Sequence, residues 1–487
     1  MKLKQDLRAS LLLTLMGILS YWTSMSDNKK AKDSPLSAAK FPKADLVSDF
    51  DFLIKTLEEV HPDLYASADI IEMKQKYEQV RNSLYDEMTL LEFYRVIGKI
   101  VPQFKDGHTY IQYGCLLAQQ SELYFPLVLA FSGNDVIISS DVTNTFKIND
   151  TIISLNEVPI PKIISKIREY ISAEKEIFLF EQLISNFSFL LSIITDHKSP
   201  YKVKVKRKGK LLEREIKGIA ISEIMAIRQT FLFNMAAKVK SLEIKDDYGL
   251  LTVGTFGYHG KEGEEFIKFI DTVFAELKSK GIQKLIIDVR NNGGGNSEMA
   301  KHIACYLTDK PVYSFRKILW KSSQQMKDFV RDDVENNTHG WYEKDEYDKL
   351  LSVKSGECYN WDCEEKENPV KPELTYKGKV YVLSNNMTFS TTTDFLAMVR
   401  DFELGTIIGT ESGGLPNCFG DSYGFNLPHT NLIISVSHKF FIRPSGNEKD
   451  NDISPDIIIS QTDEDRKNNI DTVLEYAKAL DIIVNSN

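Results

Sequence analysis

The segment LIIDVRNNGGGNSEMA, residues 285–300, joins an apolar strand pattern to a helix pattern through three consecutive glycines. Glycine adopts backbone dihedral angles that other residues avoid, and it leaves its N–H group open to close approach by a ligand. Backbone N–H groups between a strand end and a helix start suit an oxyanion, because these donors and the helix dipole stabilise negative charge. The alternative is that the glycines provide only a tight turn from strand to helix.

The spacing of these glycines argues against the common nucleotide-binding loops. A phosphate-binding loop has the pattern Gly-x-x-x-x-Gly-Lys-Ser/Thr, and a dinucleotide site has Gly-x-Gly-x-x-Gly. DVRNNGGGNS has neither spacing and contains no lysine. An oxyanion site and a tight turn therefore remain as the two interpretations.

Strand and helix patterns alternate around this segment, from Tyr248 onward. The alternation predicts an α/β domain in which helices cover a mostly parallel sheet. A strongly charged stretch at about 317–377 predicts an insertion over the sheet, either a lid or a surface excursion. The predicted strands are GLLTVGTF, KLIIDV, KVYVLSN, GTIIGT and LIISVSHKF, and the predicted helices span 262–279, 297–307 and 391–401.

The rest of the chain divides into further predicted segments. Residues 1–25 combine basic residues with a short apolar stretch, the layout of a signal peptide or an N-terminal anchor, and residues 26–42 form a polar linker. Apolar residues at spacings of three and four predict a helical domain at 43–122. Period-two patterns predict a β-rich domain at 123–220, with helices at 163–171 and 178–194. The α/β domain then occupies residues 221–485.

The composition limits the classes of partner. A net charge of −9 at pH 7 argues against general binding to nucleic acids or anionic membranes. The basic run YKVKVKRKGK at 201–210 alternates around a Lys-Gly-Lys turn, which favours a solvated hairpin over a polyanion site. Five cysteines are too few for a disulfide scaffold, although Cys358 and Cys363 are close enough in sequence for one local bridge.

A second strand-to-helix junction lies in KVYVLSNNMTFSTTTDFLAMVRD. Ser390 stands at or just before the predicted helix, at the carboxyl end of a strand, where open α/β sheets place their sites. Thr391 and Asp394 have the spacing of a capping-box pair, which would leave the Ser390 hydroxyl available for chemistry. The alternative is that Ser390 only caps the helix.

A serine nucleophile needs a base to take its proton. No lysine occurs between Thr391 and His438, which favours a histidine over a lysine such as Lys439. His108 stands out because KDGHTY places it on a turn before a strand rather than on an apolar helix face. A solvated turn histidine without a function is the alternative.

Four motifs in this order, FKDGHT, IIDVRNNGGG, NNMTFSTTTDF and NDISPDIII, resemble those of the C-terminal-processing and tricorn-type serine peptidases. The resemblance covers most of residues 45–460. It implies a crotonase-like (ClpP/crotonase) α/β core of β-β-α units with an N-terminal helical cap domain. FKINDTIISLNEVPIPKII, within the β-rich domain, resembles part of a PDZ domain, so the resemblance also implies a PDZ-like module there.

The resemblance also assigns roles to residues. It implies that Ser390 is the nucleophile and that His108 is the base. The backbone N–H groups of Gly293 and Thr391 would hold the oxyanion. Glu448 is the first candidate for the acid that orients the base.

The pattern around the candidate acid leaves alternatives open. The spacing from Glu448 to ISPD is one residue longer than in tricorn-type members, so Asp450 or Glu411 could replace it. Gly107 also stands where those members have an extra serine before the histidine.

The predicted function is that of a serine endopeptidase that is periplasmic, bound to the cell envelope or secreted. We expect a peptide or protein substrate, no metal or organic cofactor, no nucleic acid and a possible N-terminal membrane attachment, with the oligomeric state left open. One alternative is a non-catalytic envelope protein that binds peptides or lipids through the same cleft. Acyl-CoA chemistry is disfavoured by the secretory start, because CoA is cytosolic.

Overall fold

The chain divides into two units. The first is Met1–Phe231 with Asp421–Ser437, and the second is Leu232–Gly420 with His438–Asn487. The predicted signal or anchor at 1–25 and most of the predicted linker lie outside the described residues. The computed structural model describes residues 39–118, 123–224, 239–245, 247–336, 338, 341–363, 372–468 and 470–484.

The first unit begins with helices that bury one apolar face. In the helix Lys43–Val60, the apolar residues Leu46, Phe50, Leu53 and Leu57 recur at spacings of three and four and are fully buried. The helix Leu90–Ile97 starts with a capping box between Thr89 and Glu92, which satisfies N–H groups of the first turn. These helices confirm the helical character predicted for this part of the chain.

An antiparallel sheet forms the other part of the first unit. The strand Thr151–Leu155 lies between Asp135–Asp141 and Tyr201–Arg207. The basic run forms the predicted hairpin, since Tyr201–Arg207 pairs in register with Lys210–Ile216. Alternate residues of the first of these two strands are buried, and the lysines between them face outward.

One predicted helix of this unit divides into two. The helix expected over 178–194 breaks at Asn186, whose φ of −108° and ψ of 7° leave the helical range. Its flanking segments are apolar on more than one face, so their periodicity did not mark the break. The helices of the unit are Lys43–Val60, Ile70–Ser83, Leu90–Ile97, Gly114–Ala118, Ile160–Arg168, Glu176–Ser185 and Phe187–Ile194, and the strands are Lys40–Phe41, Met88–Thr89, Tyr110–Ile111, Leu127–Ser132, Asp135–Asp141, Thr151–Leu155, Val158–Pro159, Tyr201–Arg207 and Lys210–Ile216.

A six-stranded sheet runs through the second unit. From Gly249–Val253 to Ile457–Ile458 its strands are parallel, and the edge strand Lys240–Ile244 is antiparallel to its neighbour. Alternate strand residues enter two apolar clusters, one with Phe395 and the other with Val473. Both faces are therefore covered, as predicted, which explains why the strands read as nearly continuous apolar runs.

The charged insertion contributes a second, antiparallel sheet. Its strand Lys317–Lys321 pairs with Cys358–Asp362 on one side and with residues 439–442 on the other. LIISVSHKF, grouped with the parallel sheet in the prediction, belongs instead to this antiparallel sheet. The prediction missed this pairing because the partner strand Lys317–Lys321 lies inside the charged stretch, which was interpreted as a lid or a surface excursion.

The local disulfide considered for Cys358 and Cys363 does not form, and both residues are thiols. Cys358 begins the extended strand Cys358–Asp362 and Cys363 directly follows it, which separates their Cα atoms by about 16 Å at roughly 3.3 Å per residue. A disulfide needs Cα atoms within about 7 Å.

No single helix among the described residues is long and apolar enough to cross a membrane, and the bent pair Glu176–Ser185 and Phe187–Ile194 passes only by length and composition.

The strands Cys418–Asn426 and Ile433–Ile442 contribute residues to both units. The helices of the second unit are Gly260–Ser279, Ser297–Ala304, Gln324–Asn336, Lys344–Leu351, Thr391–Asp401, Asp463–Asn468 and Thr472–Val484, and its other strands are Lys240–Ile244, Gly249–Val253, Lys284–Asp288, Lys317–Lys321, Cys358–Asp362, Lys379–Ser384, Thr406–Gly409 and Ile457–Ile458.

Candidate active site

Two strand-to-helix junctions lie side by side at the carboxyl edge of the parallel sheet. They follow the neighbouring strands Lys284–Asp288 and Lys379–Ser384. The Asn385 side chain links them, because its Oδ1 accepts the Asn291 N–H at 2.9 Å and its Nδ2 donates to the Asn291 side chain. The glycine loop and the loop that carries Ser390 are thus held together at the edge where open α/β sheets place their sites.

Ser390 has an unusual backbone conformation directly before the helix Thr391–Asp401. Its φ of 53° and ψ of −133° fall in a region that side chains rarely adopt. Such a residue costs on the order of 1–3 kcal/mol and persists only where its surroundings impose the conformation. Its hydroxyl makes no capping hydrogen bond, so the alternative role of Ser390 as a side-chain cap is not observed.

The capping pair predicted for Thr391 and Asp394 is wrong. Thr391 is the first residue of the helix, and its Oγ1 donates to the Gly295 carbonyl at 2.6 Å. The tertiary contact with the glycine loop takes the hydroxyl that the local pattern assigned to a cap.

The glycine loop packs directly on Ser390. Gly294 has a φ of 102°, and a methyl group added to it would lie 2.7 Å from Ser390 Cβ and 2.9 Å from the Thr391 nitrogen. No side chain fits in that gap, which is the physical need for glycine at this position. The three glycines therefore provide both a turn and a close approach.

Two backbone N–H groups beside Ser390 are available as donors. The Gly294 N–H donates to Asn292 Oδ1 at 2.9 Å, whereas no described residue accepts a hydrogen bond from the N–H of Gly293 or Thr391. These are the two amides predicted to hold the oxyanion. A pair of preorganised amide donors is suited to a tetrahedral intermediate.

An ion-pair network fixes the other side of the glycine loop. The Arg290 guanidinium binds Asp288 at 2.7 and 2.9 Å and Asp471, from the C-terminal helical region, at 2.7 and 2.8 Å. Burial opposes ionisation of Asp471, but its bonds with Arg290 outweigh burial and lower its pKa. Bidentate pairs of this kind add geometric precision.

His108 lies in the first unit, on a turn that Asp106 organises. Asp106 Oδ1 accepts the His108 backbone N–H at 2.9 Å. Asp106 Oδ2 accepts the hydroxyls of Thr109 at 2.5 Å and Ser437 at 2.6 Å, and lies 3.2 Å from His61 Nε2. His61 Nδ1 accepts a backbone N–H, so its Nε2 carries the proton and donates to Asp106.

Two carboxylates flank the His108 imidazole. Its Nδ1 lies 3.8 Å from Asp106 Oδ1, and Glu174 places a ligand atom within 4.8 Å of both residues. Burial by itself would raise the pKa of Asp106, but its contacts with His108 and His61 outweigh burial and hold the pKa well below its usual range. Burial and the negative charge of Asp106 raise the pKa of Glu174 to about 7.

The same three side chains are, among the described residues, the group whose ligand atoms lie close enough together to hold a metal ion. Two carboxylates and one imidazole are a donor set that divalent cations accept. The expectation that the protein needs no metal stays a prediction.

The acids proposed from sequence lie in the second unit and stay predictions. Glu448 is exposed on the loop after the strand Ile433–Ile442, and Glu411 is half-buried. Asp450 is also exposed and accepts from Arg443 Nη1 at 3.4 Å. Lys439, the alternative base, is buried with its Nζ 4.5 Å from the centre of the Trp320 ring, in a cation–π contact.

Four residues that the sequence analysis did not single out contribute to these arrangements. Asn385 and Asn292 hold the two loops, and their only signal was a position beside the motif glycines and the motif serine. Asp106 precedes Gly-His in the first motif, so its position next to the histidine was a usable signal. Glu174 had none, because nothing in SAEKE distinguishes a buried carboxylate from an exposed one.

Comparison with known proteins gives one family. Residues 247–459 match the description Peptidase family S41, whereas no curated protein is significantly similar in sequence. Mature CPAF complexed with lactacystin has a TM-score of 0.65 and 16% identity, over 91% of this chain and 98% of its own. Mature CPAF alone has a TM-score of 0.62 and 16% identity, over 90% of this chain and 96% of its own. A CPAF mutant has a TM-score of 0.64 and 15% identity, also over 90% of this chain and 96% of its own.

The structural likeness at this low identity concerns the fold, which is a mixed α/β fold that matches S41 peptidase structures. The sequence match covers the parallel sheet, the glycine loop and the Ser390 junction. Residues 247–459, which carry these elements, are therefore assigned to peptidase family S41, a family of serine hydrolases.

Proposed function

We propose that the protein is a serine endopeptidase in which Ser390 attacks the carbonyl carbon of a peptide bond. The observation that carries the proposal is the environment of Ser390. Its strained backbone stands against Gly294 of the glycine loop, and no described residue accepts a hydrogen bond from the N–H groups of Gly293 and Thr391. A merely structural serine needs neither the strain nor two open amides.

The proposed base is His108, which belongs to the other unit, so its approach to Ser390 is part of the proposal. The imidazole takes the serine proton as the Oγ–C bond forms, and the carbonyl oxygen becomes an oxyanion held by the two amides. The same proton then passes to the leaving amine as the C–N bond breaks. Water, activated by the imidazole, hydrolyses the acyl-enzyme and restores Ser390.

The finer features of the resemblance belong to the same proposal. These are the crotonase-like core, the helical cap, the PDZ-like character of the antiparallel sheet and a location in the periplasm, the cell envelope or outside the cell. The apolar start of the chain supports export. Glu448, Asp450 and Glu411 remain candidates for the orienting acid.

The test compares wild type with Ser390→Ala in two assays. The first is hydrolysis of fluorescein-labelled casein, and the second is covalent labelling by a fluorophosphonate. We expect wild type to be active in at least the labelling assay and Ser390→Ala to be inactive in both. Lactacystin, present in one of the similar structures, is a second probe that should compete with the label.

Two results would contradict the proposal. Hydrolysis by Ser390→Ala at the wild-type rate would exclude Ser390 as the nucleophile. A folded wild type that neither hydrolyses casein nor reacts with either probe would favour the alternative, a non-catalytic binder of peptides or lipids.

A further inference from the structure

Glu174 occupies a place that stability alone does not explain. It lies in the segment between the helices Ile160–Arg168 and Glu176–Ser185. Both of its carboxylate oxygens are buried and meet no donor of a described residue with good hydrogen-bond geometry, although the Gly107 N–H lies close enough to act against the rise in the pKa of Glu174. A buried carboxylate with so few donors is costly, since even a neutral polar group left poorly paired destabilises the folded state. Groups that fold stability disfavours are concentrated at functional sites.

The neighbours of this carboxylate are the two residues of the DGH turn that carry chemistry. One Glu174 oxygen, one Asp106 oxygen and one His108 ring nitrogen all lie within 4.8 Å of one another. The imidazole thus has two carboxylates beside it, one from its own turn and one from a segment 66 residues further along the chain.

Asp106 is already committed to holding the turn. Its Oδ2 receives donors from His61, Thr109 and Ser437, and its Oδ1 receives the His108 backbone N–H. The distance of 3.8 Å from Oδ1 to His108 Nδ1 exceeds a hydrogen bond. Rotating Asp106 toward the ring would break bonds that Glu174 does not have to break.

We propose that Glu174 is the positioning acid of the active site, which accepts the Nδ1–H of His108 and stabilises its imidazolium form during catalysis. This inference rests on the proposed function, in which His108 is the base. A carboxylate that accepts from Nδ1 fixes the tautomer that leaves Nε2 able to take the serine proton. The role predicted for Glu448 would then belong to a residue of the first unit.

The charges around Glu174 favour its ionised form when His108 becomes protonated during catalysis. Burial and Asp106 raise the pKa of Glu174, while His108 acts in the opposite direction. When His108 gains the serine proton, its positive charge favours the ionised form of Glu174. The other titratable group of the cluster, His61, donates to Asp106 and is part of the turn.

The experiment measures fluorophosphonate inactivation, with the rate constant kinact and the binding constant KI determined separately for full-length variants. Glu174→Gln keeps the shape and removes the charge. Glu176→Gln is the matched control, because its carboxylate is exposed and pairs with Arg168 at 2.8 Å. Glu174→Asp tests rescue by a shorter carboxylate.

We expect Glu174→Gln to lower kinact by roughly 100-fold, the scale of acid–base assistance, while KI stays within about twofold of wild type. The kinact of Glu176→Gln should match that of wild type, and the kinact of Glu174→Asp should lie between those of Glu174→Gln and wild type. The Tm of Glu174→Gln should equal or exceed that of wild type, because a buried carboxylate with so few donors is removed.

The outcomes separate this inference from the proposed function. If wild type is not labelled, or if His108→Ala is labelled like wild type, the proposed function itself fails. If His108→Ala loses labelling while Glu174→Gln behaves like Glu176→Gln, His108 remains the base and the inference about Glu174 is wrong. Loss of labelling in Glu174→Gln together with a lowered Tm, or without rescue by Glu174→Asp, would indicate a structural role and also overturn it.

Discussion

A single methyl group at Gly294 should inactivate the enzyme through a steric effect on Ser390. The added Cβ would lie 2.7 Å from Ser390 Cβ, about 0.7 Å short of the 3.4 Å at which ordinary contacts begin. It would also lie 2.9 Å from both the Phe389 carbonyl and the Thr391 nitrogen, so backbone as well as side chain must move. A displacement approaching 1 Å at reacting atoms costs about 100-fold in rate.

A matched variant separates the steric effect of the added methyl group on Ser390 from the cost of backbone strain. Gly356 has a φ of 97°, close to the 102° of Gly294, and an added methyl there would meet no atom within 4 Å. Both Gly294→Ala and Gly356→Ala therefore carry the left-handed backbone cost, on the order of 1–2 kcal/mol. Only Gly294→Ala also disturbs the serine and the amide beside it.

Fluorophosphonate inactivation gives kinact for both variants, and urea denaturation gives their stabilities. We expect Gly356→Ala to keep the wild-type kinact and Gly294→Ala to lose at least about 100-fold. If the two variants are labelled within about threefold of each other while both are folded, the glycine loop is not packed against a working nucleophile.

Three further predictions concern stability. Asp106→Asn should lower the free energy of unfolding by about 2–4 kcal/mol at pH 7, because charge-assisted bonds of a buried carboxylate are lost. Folding lowers the pKa of Asp106, so its contribution is present above the unfolded pKa of about 3.9 and is lost as the pH falls toward the lower folded pKa. The urea midpoints of wild type and Asp106→Asn should therefore approach each other progressively below about pH 4. The pH dependence due to Glu174 has the opposite sign, because its folded pKa of about 7 exceeds an unfolded value of about 4.3. As the pH rises from about 4.5 to 7, wild type should lose up to about 3 kcal/mol of unfolding free energy relative to Glu174→Gln. Parallel stability curves of the two proteins would contradict the burial of that carboxylate. Ser390→Gly should be more stable than Ser390→Ala by about 1 kcal/mol, because glycine adopts a positive φ without strain, and equal stabilities would contradict the strained conformation.

The parallel sheet could be predicted because its strands are buried on both faces. KLIID and KVYVL read as short apolar runs bounded by turn residues, and the helix after Ser390 was predicted with the observed bounds, Thr391–Asp401. The loops at the carboxyl ends followed from the same argument. The position of the candidate site at this edge of the sheet was therefore accessible from local pattern and topology, whereas the choice of Gly293 as a donor came from the family resemblance.

Features that depend on contacts between distant segments were not accessible. The Thr391 hydroxyl bonds to the Gly295 carbonyl, almost a hundred residues away, rather than to its own helix. The strand Ile433–Ile442 finds its partner inside a charged stretch. Glu174 reaches the DGH turn from a segment with no distinguishing composition. In each case tertiary structure overrides or supplements the local signal.

The most direct measurement is to label the wild-type protein with a fluorophosphonate, digest it and identify the modified residue by mass spectrometry. We predict a single adduct on Ser390, in the peptide that contains NNMTFSTTTDF, and no adduct in a folded His108→Ala variant. An adduct on another residue, or undiminished labelling of Ser390 in His108→Ala, would contradict the assignment of nucleophile and base.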